Sequence, residues 1–402
     1  MKRILIWNDY PLGPVGGPSG YLYNLKSYLL ENDKKNIDFL NNEDFIKKIE
    51  VKKEKSFESI RKIIREFRKK FFKTKKLEKR INKFYKFYEG DYSFINSYDI
   101  IHFHDIRSFY RAKNILKGFK GVTLLTSHCP KTPAQEEIED NMRMNYTTFP
   151  KKLRERLEKI DQESFERADY LVFPCKEAQE PYEEDERIKK ILEKKFENNR
   201  ILYVPTGIPL KEIKKNESFF FDKGIDIKDK FIVSYIGRHN KVKGYDFLKR
   251  LGEKVLEKYE DVIFVIGGEI SEEFPPIQSK NWIEFGWTKE GYDIIKNSDL
   301  FVLPNEKTYF DLILLEVLSM GTPVLLSNTG GNRYFKKYNE NGLFYFEKYN
   351  LEESLNQFDK IYSLWKNKKL SLEGEKNYKI FNRDFTVNTF GENYENIYDK
   401  IK

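Results

Sequence analysis

The sequence predicts an α/β protein made of two Rossmann-like, doubly wound domains facing each other across a cleft. Three observations lead there. Short apolar strands alternate with amphipathic helices through the first half of the 402-residue chain. The alternation stops at Pro205-Thr-Gly-Ile-Pro209 and a polar, linker-like stretch, 211–230, then restarts at Phe231. Each series opens with a strand, a glycine-bearing turn and a helix, which is how an open parallel sheet offers amide groups to an anion.

Residues 2–7 form the first expected strand. A turn carrying Gly13, Gly16, Gly17 and Gly20 follows, and then a helix from Tyr21 with apolar residues at 3–4 spacing. Glycines let backbone N–H groups approach a phosphate without a Cβ in the way. The spacing is not G-x-G-x-x-G, so the dinucleotide fingerprint is absent and a plain structural turn stays open.

The next segment, 47–88, is set apart by charge. Between Lys47 and Lys86 there are eighteen Lys/Arg and five Asp/Glu, so the net charge of +9 resides there and the remainder is slightly acidic. Phe57, Ile60, Ile64, Phe67 and Phe71 make one helical stripe, and Leu77, Ile81, Phe84 and Tyr88 a second. Such helices either pack on the domain or dock on an anionic membrane, where each cation is worth ~1 kcal/mol. The aromatics follow helical spacing and not the logic of a base-stacking platform, so no nucleic-acid partner is expected.

Strands are expected at 99–105 and 122–128. His102 and His104 share one face of the first, but further metal ligands are missing. His128 ends the second at the carboxyl edge, where α/β sheets hold ligands; a core histidine is the other reading. Helices at 151–167 and 182–196 and strands at 170–173 and 201–204 complete the first series.

In the second series, strands are expected at 231–237, 262–266, 282–285, 300–303 and 324–326, with helices at 245–259 and 292–297. The loop Gly237-Arg-His-Asn-Lys-Val-Lys-Gly244 puts Arg238 and Lys243 at a strand end before a helix, a guanidinium fork and an ammonium suited to adjacent phosphates. It is not a Walker A loop. After Pro304 comes a helix with one carboxylate, Glu316, among Leu312, Ile313, Leu315, Val317 and Leu318. An acid in an apolar helix is costly to bury without a partner. Read with Arg238 and Lys243, it fits the two hydroxyls of a ribose. Gly321-Thr-Pro323 ends the helix, and a Gly330-Gly331 turn follows the next strand. A last helical pattern covers 390–401. Two cysteines suggest no disulfide framework. No apolar run approaches ~18 residues and the N-terminus lacks a signal-peptide pattern, so a cytoplasmic location is expected.

These residues resemble glycosyltransferase family 4, retaining enzymes of the GT-B fold. The resemblance runs through Gly237-Arg238, Lys243-Gly244, Phe264-Val-Ile-Gly-Gly268, Phe285-Gly286, Leu312-Ile-Leu-Leu-Glu316, Gly321-Thr-Pro323 and Gly330-Gly331. It is looser in the first half, at Gly16-Gly17, the His128 strand end, Ala168-Asp169 and Pro205-Thr-Gly207-Ile. It implies an acceptor-side domain, 1–206, completed by a returning C-terminal helix, 386–402, and a nucleotide-sugar domain, 207–385. It implies transfer of a sugar from a nucleotide-sugar, UDP-linked, to a glycan, lipid-linked or protein acceptor in surface-glycan synthesis. No cofactor and no essential metal are implied.

Arg238 and Lys243 would neutralise the departing diphosphate, and His128 would lie beside the donor sugar. Gly16, Gly17, Gly237, Thr308, Tyr309, Phe310, Asp311, Leu312 and Glu316 would complete the donor site. One departure stands out. The family's Glu-x7-Glu has Thr308 at its first position, and its Glu-Gly-Phe-Gly becomes Thr308-Tyr309-Phe310-Asp311. A hydroxyl replacing that carboxylate would cost ~1–2 kcal/mol of grip on sugar hydroxyls if uncompensated, with Asp311 or Glu306 as the candidates to compensate. A catalytically silent GT-B protein and a nucleotide-sugar epimerase are the alternatives.

Overall fold

The computed structural model describes residues 1–13, 17–40, 75–143, 149–216 and 218–401. The chain divides into two compact units, Met1–Phe173 with Tyr182–Leu202 and Ile397–Lys402, and Pro174–Pro181 with Tyr203–Asn396.

The sheet of the first unit is built from β1 (Ile4–Trp7), β2 (Ile37–Phe39), β3 (Ile100–Phe103), β4 (Val122–Thr126), β5 (Tyr170–Phe173) and β6 (Ile201–Tyr203), in the order β2-β1-β3-β4-β5-β6. β1 pairs in parallel with β2 and β3, and β4 with β3 and β5. Every residue of β1, β3 and β5 is buried, as continuous apolar runs covered on both faces must be. The helix Lys151–Arg167 turns Leu153, Leu157, Ile160, Ser164 and Phe165 inward at 3–4 spacing. The expected helix over 182–196 is broken. Asp185 accepts a hydrogen bond from Arg187 N at 2.9 Å and starts a new helix, Glu186–Glu197.

Residues 47–74, with the first of the two basic stripes, lie outside the described residues. A helix over 75–84 carries the start of the second. Its Leu77 and Ile81 are buried in the unit, while Lys75, Lys76, Lys79 and Lys83 face outward. No helix among the described residues is long and apolar enough to cross a membrane.

The second unit carries β7 (Phe231–Ile236), β8 (Val262–Gly267), β9 (Trp282–Gly286), β10 (Leu300–Leu303), β11 (Val324–Ser327) and β12 (Leu343–Phe346), ordered β12-β11-β10-β7-β8-β9. All its neighbouring strands run parallel. The chain starts in the middle at β7, proceeds outward to β9, and crosses back to β10 on the other side of β7. The order therefore reverses between β7 and β10, and in such sheets ligands bind outside the carboxyl ends at the reversal.

Alternation along β7 and β8 divides the core. Phe231, Val233, Tyr235, Val262, Phe264 and Ile266 face the helices Tyr245–Lys258 and Leu351–Lys366. Ile232, Ile263 and Val265 face Phe219, Phe220 and Ile294. The stretch expected to be a linker thus supplies Phe219 and Phe220 to the core, where they cover Ile232, Ile263 and Val265. β2, β12 and the helices Pro133–Arg143, Leu351–Lys366 and Leu370–Asp384 go beyond the elements that the periodicity marks.

Candidate functional site

The loop leaving β7 is stiff on its inner side. Tyr235 donates to Arg238 O at 3.0 Å, and His239 stacks on Tyr245 with ring centroids 3.8 Å apart and planes 6° apart. Tyr245 and Trp282 both donate to Glu284, at 2.6 and 2.8 Å. Burial depresses the His239 imidazole to about 4, so it is neutral near pH 7 although Glu284 lies 3.8 Å away. Three cations remain in this turn, Arg238, Lys241 and Lys243. Arg238 is exposed and makes no ion pair among the described residues. The backbone N–H of Lys243 donates to Asn240 Oδ1 at 3.0 Å.

Gly244 ends the loop at φ 68°, as the N-cap of Tyr245–Lys258, and a Cβ there would stand 1.8 Å from Pro304 O. Only glycine lets the turn after β7 pass this close to the turn after β10. The two loops are bonded together as well, by Glu306 N to Val242 O at 3.0 Å.

The loop after β10 is pinned from several sides. Asn305 is fully buried; its carbonyl accepts from Ser327 Oγ at 2.7 Å, and its amide donates to Asp311 Oδ2 at 2.7 Å. Thr308, Tyr309 and Phe310 are buried, with Phe310 against Phe335 at a ring distance of 5.5 Å. The Gly330-Gly331 turn lies on their backbone. A Cβ on Gly330, at φ 42°, would be 2.0 Å from Thr308 O, and one on Gly331 2.1 Å from Tyr309 O.

Asp311 is the N-cap of the helix Leu312–Met320, and its carboxylate lies 2.5 Å from Lys243 Nζ. Burial alone would raise this carboxyl; the Lys243 ammonium, with hydrogen bonds from Lys243 and Asn305, outweighs it and holds it below its usual range. Leu312 opens the helix and is half-buried. One turn on, burial pushes the Glu316 carboxyl up to about 7, against the opposing hydrogen bond from Tyr292 and the charge of Lys211. Lys211 Nζ sits 3.7 Å over the Tyr292 ring. Gly321, at φ 69°, ends the helix in the left-handed conformation.

Lys243, Asp311, the N-terminus of Leu312–Met320 and Glu316 therefore follow the carboxyl ends of β7 and β10. Such a set can hold an anion at the helix N-terminus and hydroxyls at a carboxylate. Asn305, Tyr292 and Lys211 were not singled out by the sequence. Asn305 had one available signal, its place directly after the strand end at Pro304.

In the first unit, His128 follows β4 and its Nε2 lies 3.1 Å from His104 Nδ1. The edge of Tyr21 meets the His128 ring at 4.6 Å. His102 shares its two ring nitrogens with Tyr398 Oη at 2.9 Å and Thr126 Oγ1 at 2.8 Å. Burial depresses His102 and His128 to about 3, and burial with the neighbouring histidines holds His104 well below its usual value, so all three are neutral. No group of three His, Cys, Asp or Glu among the described residues could hold a metal ion. Gly17 starts the helix Gly17–Glu31 at φ 74°. Gly16 lies outside the described residues.

Residues 216–377 match the family model of group 1 glycosyl transferases. The chain is 29% identical over 103 residues to an uncharacterized 41.2 kDa protein in the cps region of Klebsiella pneumoniae, covering 25% of this chain and 28% of that protein. It is 25% identical over 175 residues to the UDP-Gal:alpha-D-GlcNAc-diphosphoundecaprenol alpha-1,3-galactosyltransferase of Escherichia coli, covering 40% and 45%. The matches span less than half the length of these relatives. HepE of Anabaena, solved in complex with UDP, superimposes with a TM-score of 0.63 at 11% identity, over 99% of this chain and 100% of HepE. The fold is GT-B, two Rossmann-like units each with a six-stranded parallel sheet.

Proposed function

We propose that the protein is a retaining glycosyltransferase of the family 4 type. It moves a sugar from a UDP-linked donor to a glycan, lipid-linked or protein acceptor in surface-glycan synthesis, without an essential metal. The observation that carries the reading is the convergence of Lys243, Asp311 and the N-terminus of Leu312–Met320 behind β7 and β10, within the stretch 216–377 matched by the group 1 model. The UDP complex of HepE supports the nucleotide, and the name of the Escherichia coli relative supports a diphosphate-linked lipid acceptor.

On this reading the donor's ribose hydroxyls bind Glu316 in its ionised form. The bond from the anomeric carbon to the diphosphate oxygen breaks, and negative charge gathers on that oxygen. Arg238, Lys243 and the helix N-terminus stabilise the charge, and such preorganised stabilisation is usually the largest catalytic contribution. The acceptor hydroxyl attacks from the face that the diphosphate leaves, so configuration is retained. Its proton passes to the departing phosphate oxygen. His128, neutral, is assigned to the donor sugar, and the Gly16-Gly17 amides to the diphosphate. The enzyme works in the cytoplasm and touches an anionic membrane through 47–88.

Purified protein incubated with a panel of nucleotide-sugars tests the reading. One of them should raise the unfolding temperature and be turned over, with or without EDTA. A ligand at 100 times its dissociation constant stabilises by ~2.7 kcal/mol, enough to see by thermal shift. No shift and no turnover with any nucleotide-sugar overturns the proposal; activity lost to EDTA and restored by magnesium overturns its metal-free part.

A further inference from the structure

One of the two cations assigned to the diphosphate is already neutralised. Lys243 Nζ and Asp311 Oδ2 are 2.5 Å apart, and their side chains are only 24% and 11% exposed. The buried Asn305 amide donates to the same carboxylate oxygen at 2.7 Å. An ammonium, an amide N–H and a helix N-terminus are the groups that would receive a phosphate oxygen. The Asp311 carboxylate receives the ammonium and the amide instead, at the N-cap position of the helix. Arg238, exposed and making no ion pair among the described residues, keeps its charge uncompensated.

We infer that Asp311 is the residue by which this site tells donor from product, an internal anion that competes with the departing nucleoside diphosphate for Lys243. The inference rests on the nucleotide-sugar reading of the site. In the donor, the phosphate next to the sugar is a diester with a single negative charge. Once the sugar has left, that phosphate is terminal, and its second ionisation, with a pKa near ~6, adds almost a full charge at pH 8. The added charge develops beside Lys243 and so beside Asp311, in a largely buried setting where like charges repel more strongly than in water. Lys243 then returns to Asp311 as the product leaves. Asp311 weakens the complex with the diphosphate more than the complex with its sugar ester, and so speeds product release.

Calorimetric titration at pH 8 of the wild-type and Asp311→Asn proteins with UDP, UDP-glucose, GDP and GDP-mannose tests this. In the variant the nucleoside diphosphate binds about tenfold tighter or more, and its sugar ester gains about threefold or less, as expected when a like charge is removed from one binding partner. Equal gains for both ligands, or a diphosphate that binds the variant no better than wild type, overturn the inference and leave the nucleotide site standing. Wild-type protein that binds none of the four ligands removes the nucleotide site itself. Asp311→Ser serves the same comparison if the Asn variant does not fold.

Discussion

Lys243 and Asp311 stand 68 residues apart in the chain and 2.5 Å apart in space. Their ion pair ties the loop after β7 to the helix after β10, the two strands between which the order of the second sheet reverses. Lys243→Ala is expected to lower turnover tenfold or more on the proposed chemistry. It also leaves the Asp311 carboxylate buried without its cation, which costs about 2–4 kcal/mol in urea unfolding. Lys243→Ala with Asp311→Asn should recover most of that stability and none of the activity. A single variant as stable as wild type would show that the pair contributes no stability.

Glu316 gives a pH test. Its folded-state carboxyl titrates near 7, above the ordinary carboxylate value, so the folded chain binds more protons than the unfolded chain between about pH 4.5 and 7. Stability due to this group falls as pH rises through that window, by up to about 3 kcal/mol. Glu316→Gln is therefore expected to stabilise the protein at pH 8 and to leave it unchanged near pH 4.5. The same substitution should weaken nucleotide-sugar binding. Wild-type affinity for UDP-glucose should fall as the pH drops below 7, and calorimetry at pH 6 and 8 checks it.

Gly244→Ala tests the close passage of the two loops. The new methyl must displace Pro304 O from 1.8 Å and adopt φ 68°. The expected cost is about 2–4 kcal/mol, with nucleotide binding reduced because Pro304 leads into the Asp311 loop. An alanine variant with wild-type stability and affinity would contradict the described geometry.

The three histidines of the first unit have the opposite sign. Burial holds them neutral, so the unfolded chain takes up more protons than the folded one as pH falls below about 6.5, down to about 3 for His102 and His128. Stability should decline through that window, and less steeply in His102→Gln. His104→Asn, whose amide can stand in for Nδ1 towards His128, should keep more transfer activity than His104→Leu. Equal activities would deny His104 a positioning role.

For 47–88, co-sedimentation with liposomes is the measurement. Binding should rise with the fraction of acidic lipid and fall with salt, since about 1 kcal/mol per cation depends on surface potential. Indifference to lipid charge would end the membrane proposal.

Much of the fold could be read from the sequence. Phe231–Ile236, Leu300–Leu303 and Val324–Ser327 are apolar runs bounded by Gly, Pro or polar turns, and each is a buried strand. Glu316 was visible as the lone acid of an apolar helix, and Gly244 as a glycine opening one. Phe219 and Phe220 were misread because a short run of three phenylalanines in a polar stretch has no period, and only the sheet face they cover, with Ile232, Ile263 and Val265, reveals their place.

The sequence by itself determined the two α/β series, the cationic turn after β7 and the acid-bearing helix after β10, because strand and helix periods and turn residues are local properties. It could not determine that Lys243 meets Asp311, that Tyr292 bonds Glu316 or that His104 reaches His128. Those pairings depend on which strands lie side by side and in what register. Asp311, a replaced glycine in the sequence, becomes the partner of the site's lysine only when β7 and β10 are neighbours.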